Sequence, residues 1–179
     1  VLVDGRLHDL NAIHRARVGD SAAAMLSLDS LLQMGDAGLA LAATSLDYSA
    51  ANGLTTLSAA DVTYLSPVNR PSKILALGRN YAAHAREGGA EPPAYPMVFS
   101  KTLTSLAGHG QTIKIPAVCD NVDCEAELAV VMGKRCRNVS EAEALDYVAG
   151  YTVANDVTDR AWQRRTTQFT IGKMIDEFG

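Results

Sequence analysis

The stretch VDCEAELAVVMGK, Val122 to Lys134, sets two glutamates two positions apart in an otherwise largely apolar run. Side chains two apart share a face on a strand and point to nearly opposite sides on a helix. Val130, Val131 and the Gly133-Lys134 turn favour a strand. Glu125 and Glu127 then project from one face, while Cys124, Ala126, Leu128 and Val130 pack on the other. Two carboxylates on one face repel and desolvate poorly, so they need protonation, basic partners or a bound cation. An exposed edge-strand face is the commoner reading of Glu-x-Glu by itself. A hard divalent ion is the alternative, because Mg²⁺ and Mn²⁺ prefer oxygen ligands and keep positions for water or substrate.

A third carboxylate changes the balance. SEAEALDYVAG reads as a capping box, Ser140 to Glu143, opening a helix to about Val148 that breaks at Gly150. A strand follows from Tyr151 to Asn155, with Asp156 at its end. A new helix starting near Asp159 places Arg160 and Gln163 on the side of that carboxylate, and strand ends feeding helices commonly carry ligand groups. Read alone, Asp156 is a helix-start cap.

KILALG, Lys73 to Gly78, is a short apolar strand, and RNYAAHAREGG continues as a helix closed by Gly88-Gly89. His84 and Glu87, three apart, share a face, so the carboxylate can orient the imidazole as a general-base dyad. Spacing alone favours an exposed polar pair, and the nearby strand end keeps the site reading open.

Pro67 and Pro71 in LSPVNRPSK break any regular element and mark a boundary between a small α+β domain, residues 1–66, and a second domain, residues 67–179. In the first, a hairpin turns at Asp4-Gly5. Asp20 or Ser21 caps a helix whose Met25, Leu28, Leu31 and Leu32 form an apolar stripe before Gly35. With 179 residues and 47% hydrophobic content the chain can bury a core in one or two domains. A net charge of -4 without a long basic run argues against nucleic acid and anionic membrane as partners and favours a small molecule. Cys119, Cys124 and Cys136 form no C-x-x-C pair and read as small buried thiols in a reducing cytoplasm. The first residues lack an apolar signal core, and no apolar run approaches the roughly 20 residues of a membrane span, so the expectation is a cytoplasmic protein. Opening on Val1 and stopping at Gly179 without a closing element, the chain reads as incomplete at both ends.

KILALGRNYAAHAREGG, VDCEAELAVVMGKR, YVAGYTVANDVTDRAWQ and GKMIDEFG together resemble the fumarylacetoacetate hydrolase family, in its order and with compatible separations, from about Pro67 onward. The resemblance implies an α+β fold on a rolled mixed β-sheet with a small amino-terminal domain, a homodimer, and a carboxy-terminal portion absent from this chain. It implies Mg²⁺ or Mn²⁺ held by Glu125, Glu127 and Asp156, a His84-Glu87 pair, Lys173 beside the metal, and Arg160 and Gln163 facing the substrate. Glu177 stands where members commonly have a small hydroxyl residue.

Such a site suits a 2-oxo acid. The expected reaction is hydrolysis of a carbon-carbon bond in an acylpyruvate or fumarylpyruvate-like β-diketo acid through a metal-stabilised enolate. His84 activates the water, and Lys173, Arg160 and Gln163 offset charge and orient the substrate. Isomerisation, hydration or decarboxylation of a 2-oxo diacid can run on the same groups. A non-catalytic metal-binding protein is the reading from another class.

Overall fold

The computed structural model describes residues 1–19, 27–54, 56–89 and 91–179. The chain divides into two compact units, Val1–Val68 with Leu128–Thr152, and Asn69–Glu127 with Val153–Gly179.

The first unit opens on an antiparallel hairpin of β1 (Leu2–Val3) and β2 (Arg6–Leu7). Asp4 and Gly5 both take positive φ at its turn, as a two-residue hairpin loop requires. Helix α1 (Leu10–Val18) follows, with the Asp9 carboxylate accepting from the Ala12 N–H and Gly19 ending it in the left-handed region. Asp20, Ser21 and Met25 lie outside the described residues. The helix described beyond them, α2 (Leu28–Gln33), is capped by Ser27. Helix α3 (Asp36–Asn52) has no counterpart in the sequence reading. Its face is built from Ala, Gly and Ser, which leave little apolar periodicity to see, yet Leu41, Ala42 and Leu46 pack on a core of Leu10 and Leu31. Gly38 permits that approach, since a Cβ there would lie 2.1 Å from the Leu31 carbonyl oxygen.

In the second unit β3 (Ile74–Gly78) pairs antiparallel with β4 (Met97–Lys101), placing Lys101 opposite Ile74. Between them lies α4 (Ala82–Glu87). Strands β5 (Val122–Asp123) and β8 (Thr158–Asp159) pair antiparallel, and α5 (Arg160–Gln163) starts where the Asp159 carboxylate accepts from the Trp162 N–H. Phe99 meets Phe169 edge to face at 5.3 Å, and Phe178 is fully buried.

Strands β6 (Ala126–Met132) and β7 (Val148–Asn155) pair with each other and run from one unit into the other. Three expectations are corrected here. Segment Glu141–Tyr147 is a 3₁₀ helix rather than an α-helix, although the Ser140 hydroxyl does donate to Glu143. The strand after it begins at Val148 and runs through Gly150. Leu128 and Val130 lie on the exposed face of β6, at 60% and 49% exposure, while Glu127, Ala129 and Val131 form the less exposed face. The two glutamates therefore fix the inward parity of the strand.

The fold is α+β, but among the described residues strands pair only in twos, so the rolled mixed sheet expected from the resemblance is not assembled here. No disulfide forms, and Cys124 and Cys136 are exposed rather than buried. Among the described residues no helix is long and apolar enough to cross a membrane.

Gly172 holds the turn that carries Lys173. A Cβ there would lie 2.6 Å from the Asp159 carbonyl oxygen and 2.7 Å from the Gln163 nitrogen. Both neighbours are backbone, which yields only by moving α5. Gly172→Ala is expected to destabilise the chain by about 1–3 kcal/mol, the scale of overpacking a close approach; a denaturant midpoint equal to that of the unsubstituted protein would show that the turn has room.

Candidate functional site

The second unit gathers acids and bases where β5, β6, β7 and β8 meet. Backbone bonding sets the frame: the Asp156 N–H donates to the Glu125 carbonyl at 2.9 Å, and the Glu125 N–H donates to the Asn155 side-chain oxygen at 3.1 Å. These two links bring Glu125 and Asp156 side by side although 31 residues separate them in sequence.

Lys173 joins the two acids. Its ammonium donates to Glu125 Oε2 at 2.9 Å, Asp156 Oδ2 at 2.6 Å and Thr158 Oγ1 at 2.8 Å. The Thr158 hydroxyl spends its own proton on the Asp156 carbonyl, so it can only accept from Lys173. All three N–H bonds of the ammonium are thereby used, and Lys173, 3% exposed, is a fixed positive charge. Its Nζ also lies 5.3 Å from the Phe99 ring centroid.

Lys101 holds the other oxygen of Asp156, with Nζ to Oδ1 at 2.5 Å, and donates to the Phe178 carbonyl at 2.8 Å. Burial draws its pKa below the ordinary lysine value, against the pull of Asp156. Arg160 pairs with Glu125 Oε1 and with Asp123, and donates to Gln163 Oε1 at 3.1 Å. Glu127 is pushed above the ordinary glutamate range by burial and by the negative charges of Glu125 and Asp156, while a hydrogen bond from Tyr81 works the other way.

The structure thus brings together Glu125, Asp156, Lys173, Arg160 and Gln163, with Glu127 close enough for its charge to interact with both acids. His84 and Glu87 form the expected pair on α4, but Nδ1 and Oε2 stand 4.0 Å apart and the side chains are 47% and 79% exposed. That distance is too long for a hydrogen bond, so the dyad is not preformed. His84 nonetheless lies near enough for its charge to act on Asp123. Lys101, Asp123 and Thr158 belong to the site and are absent from the sequence reading. A lysine ending an apolar strand and an aspartate before a strand carry no signal separating them from solvated residues. Glu177 turns to the Lys114 N–H, 2.9 Å away, from a backbone with φ +66°.

As donors for Mg²⁺ or Mn²⁺ the three acids fit in kind, being hard oxygen ligands in one charged neighbourhood. Glu127, raised by burial and by the charges of Glu125 and Asp156, is an acid that a cation beside it would favour in its ionised form. The oxygens of Glu125 and Asp156 each accept from Lys101, Lys173 or Arg160, and among the described residues no three ligating side chains are grouped to hold an ion.

An apolar cleft of about 580 Å³ opens on the same unit, lined among others by Val118, Trp162, Ile171 and Met174. Arg165 stacks over Trp162 at 4.1 Å there. None of the acids of the cluster lines it.

Buried acids and bases gathered at strand ends of an α+β chain are characteristic of small-molecule sites. Residues 73–179 match the model described as fumarylacetoacetate (FAA) hydrolase C-terminal, and the chain belongs to the fumarylacetoacetate hydrolase family. The oxaloacetate tautomerase fahd2, mitochondrial, of Xenopus laevis is 39% identical over 149 residues, covering 82% of this chain and 46% of the relative. The chain spans about half the length of the curated relatives it matches. Among solved structures, the 5-carboxymethyl-2-hydroxymuconate delta-isomerase from Mycobacterium smegmatis superposes with TM-score 0.61 and 41% identity, over 70% of this chain and 49% of that one. The fumarylacetoacetate hydrolase from psychrophilic Exiguobacterium antarcticum gives TM-score 0.67 and 26% identity, over 99% of this chain and 58% of that one.

Two outcomes are expected. Lys173→Met leaves Glu125 and Asp156 short of a buried counter-charge and costs about 3–5 kcal/mol in urea unfolding. Glu127 supplies a pH test in chain stripped of divalent ions. Its folded pKa lies above its unfolded value, so the native state holds the proton more tightly. Stability from that proton is present below the unfolded pKa and is lost as pH rises through the folded one. Glu127→Gln should therefore melt higher than wild type at neutral pH, and the gap should close in acid; a gap independent of pH would contradict the assignment.

Proposed function

We propose that the chain is the acid-base half of an enzyme that moves a proton next to the oxo group of a 2-oxo diacid, a keto-enol isomerase or tautomerase. The observation supporting this most directly is the buried Lys173 ammonium fixed between the carboxylates of Glu125 and Asp156 with all three N–H bonds engaged. A lysine so held does not act as a nucleophile or base. It offsets the two carboxylates and holds them beside the groups that meet an oxo acid. The tautomerase and isomerase named among the relatives favour the same chemistry.

Arg160 and Gln163 bind and orient the substrate carboxylate. His84, whose charge acts on Asp123, takes a proton from the carbon adjacent to the oxo group and delivers it to the oxo oxygen to give the enol, with Glu87 closing on the imidazole when substrate is bound. Glu125, Glu127 and Asp156 would hold a Mg²⁺ or Mn²⁺ ion, which when bound supplies Lewis-acid stabilisation of developing oxyanion charge. Lys101 and Lys173 hold the two acids in place.

Hydrolysis of an acylpyruvate is the second reading, supported by the 47% exposure of the His84 side chain, which leaves water within reach of the imidazole. There His84 takes its proton from water instead of carbon. Supplying the chain with Mg²⁺ and either the enol form of oxaloacetate or an acylpyruvate separates the two by product. Faster enol loss by ultraviolet absorbance is expected, with His84→Ala losing roughly 10²- to 10⁴-fold in rate, the range of a positioned general base. Glu87→Gln should give a milder loss. Pyruvate release from the acylpyruvate without faster enol loss selects hydrolysis, and full activity in His84→Ala removes the histidine from either mechanism.

A further inference from the structure

Arg160 meets different partners on its two edges. On the inner edge, Nη1 reaches Glu125 Oε1 at 2.5 Å and Gln163 Oε1 at 3.1 Å. On the outer edge, Nε and Nη2 both donate to one oxygen, Asp123 Oδ2, at 3.0 and 2.7 Å. The Glu125 side chain is 13% exposed and that of Asp123 50%.

Geometry weakens the outer contact. Asp123 Oδ1 accepts from the Cys124 N–H at 2.9 Å, so the local backbone turns the carboxylate and only its second oxygen reaches the guanidinium. The Nε and Nη2 edge of an arginine fits a carboxylate that presents two oxygens in a parallel fork. A carboxylate arriving from solvent can do that, whereas Asp123 gives one oxygen to two donors. Exposed ion pairs are weak and screened, while breaking the buried one strands a charge. Exchange therefore falls on Asp123 and leaves Glu125 in place. His84 acts electrostatically on Asp123, so an anion taking that edge comes within the field of the imidazole.

We propose that Asp123 is a placeholder on Arg160, displaced by the carboxylate of the substrate, and that its charge sets how strongly an anion must bind to enter. The inference rests on the reading of Arg160 as a substrate-binding group. Asp123→Asn keeps the size of the side chain and its contact with Cys124 but removes the charge. Asp123→Ala removes the occupant altogether.

The test titrates the full chain calorimetrically with oxalate, in saturating Mg²⁺ and again with chelator. It compares wild type, both Asp123 variants, Arg160→Ala and the double variant Asp123→Asn with Arg160→Ala, with folding checked by circular dichroism. Asp123→Asn is expected to bind oxalate roughly threefold to tenfold tighter, the scale of an exposed pair plus one nearby charge. The gain should vanish in the Arg160→Ala background. For oxaloacetate the effect should fall on KM more than on kcat. Unchanged or weaker oxalate binding in both Asp123 variants, a gain that persists without Arg160, or no oxalate binding by any form would each overturn the proposal. The expected binding pattern without turnover of any 2-oxo acid would refute the enzymatic reading and leave the role of Asp123 standing.

Discussion

Everything around the site is arranged so that one buried ammonium can sit between the buried carboxylate of Asp156 and the half-buried one of Glu125. Lys173 is 3% exposed and Asp156 7%, and neither is affordable there alone. The requirement reaches outward in layers. Thr158 must direct its hydroxyl proton away so that its oxygen faces Lys173. Gly172 must lack a side chain so that the turn before Lys173 closes against α5. Lys101 must reach from the end of β4 to neutralise the second oxygen of Asp156, and in doing so it ties the Phe178 carbonyl to the cluster. A buried ion network of this kind is weak support for stability, because well-packed apolar groups often do as well. Its worth lies in fixing positions, which is what a reaction centre needs.

The positions of the acids were largely legible, and for a physical reason. Glu125 and Glu127 in an apolar strand demand a partner, and the alternation of a strand tells which residues share their side. The same alternation does not say which face is covered. Leu128 and Val130 look inward by composition, yet the anchored Glu125 fixes the opposite parity and leaves them 60% and 49% exposed. Asp159 was readable as the start of α5 because its capping bond is local. Lys101 was not readable, because its bond to Asp156 spans 55 residues and no local pattern records it. Helix α3 escaped for a different cause: Ala, Gly and Ser lower the contrast between its faces, and the tight packing of Gly38 on Leu31 appears only in three dimensions. His84 and Glu87 sit between these cases, since their spacing favours an exposed pair and only the strand end beside it brings a general-base dyad into view.

Charge matching narrows what the cluster can accept. Asp123, Glu125 and Asp156 face Arg160, Lys101 and Lys173, three acids against three bases, with each partner identified by a direct contact. Glu127 is the acid left over, and burial raises its pKa because no base pairs it directly among the contacts that neutralise the others. A site one negative charge in excess is unsuited to an anionic substrate by itself. It becomes suited when that charge is offset by a proton on Glu127 or by a cation beside it, and the two remedies differ in chemistry. A proton would make Glu127 a donor, whereas a cation would take the carboxylates as ligands. The Lys173 ammonium already occupies one oxygen of Glu125 and one of Asp156, so such a cation would have to share those two carboxylates with it.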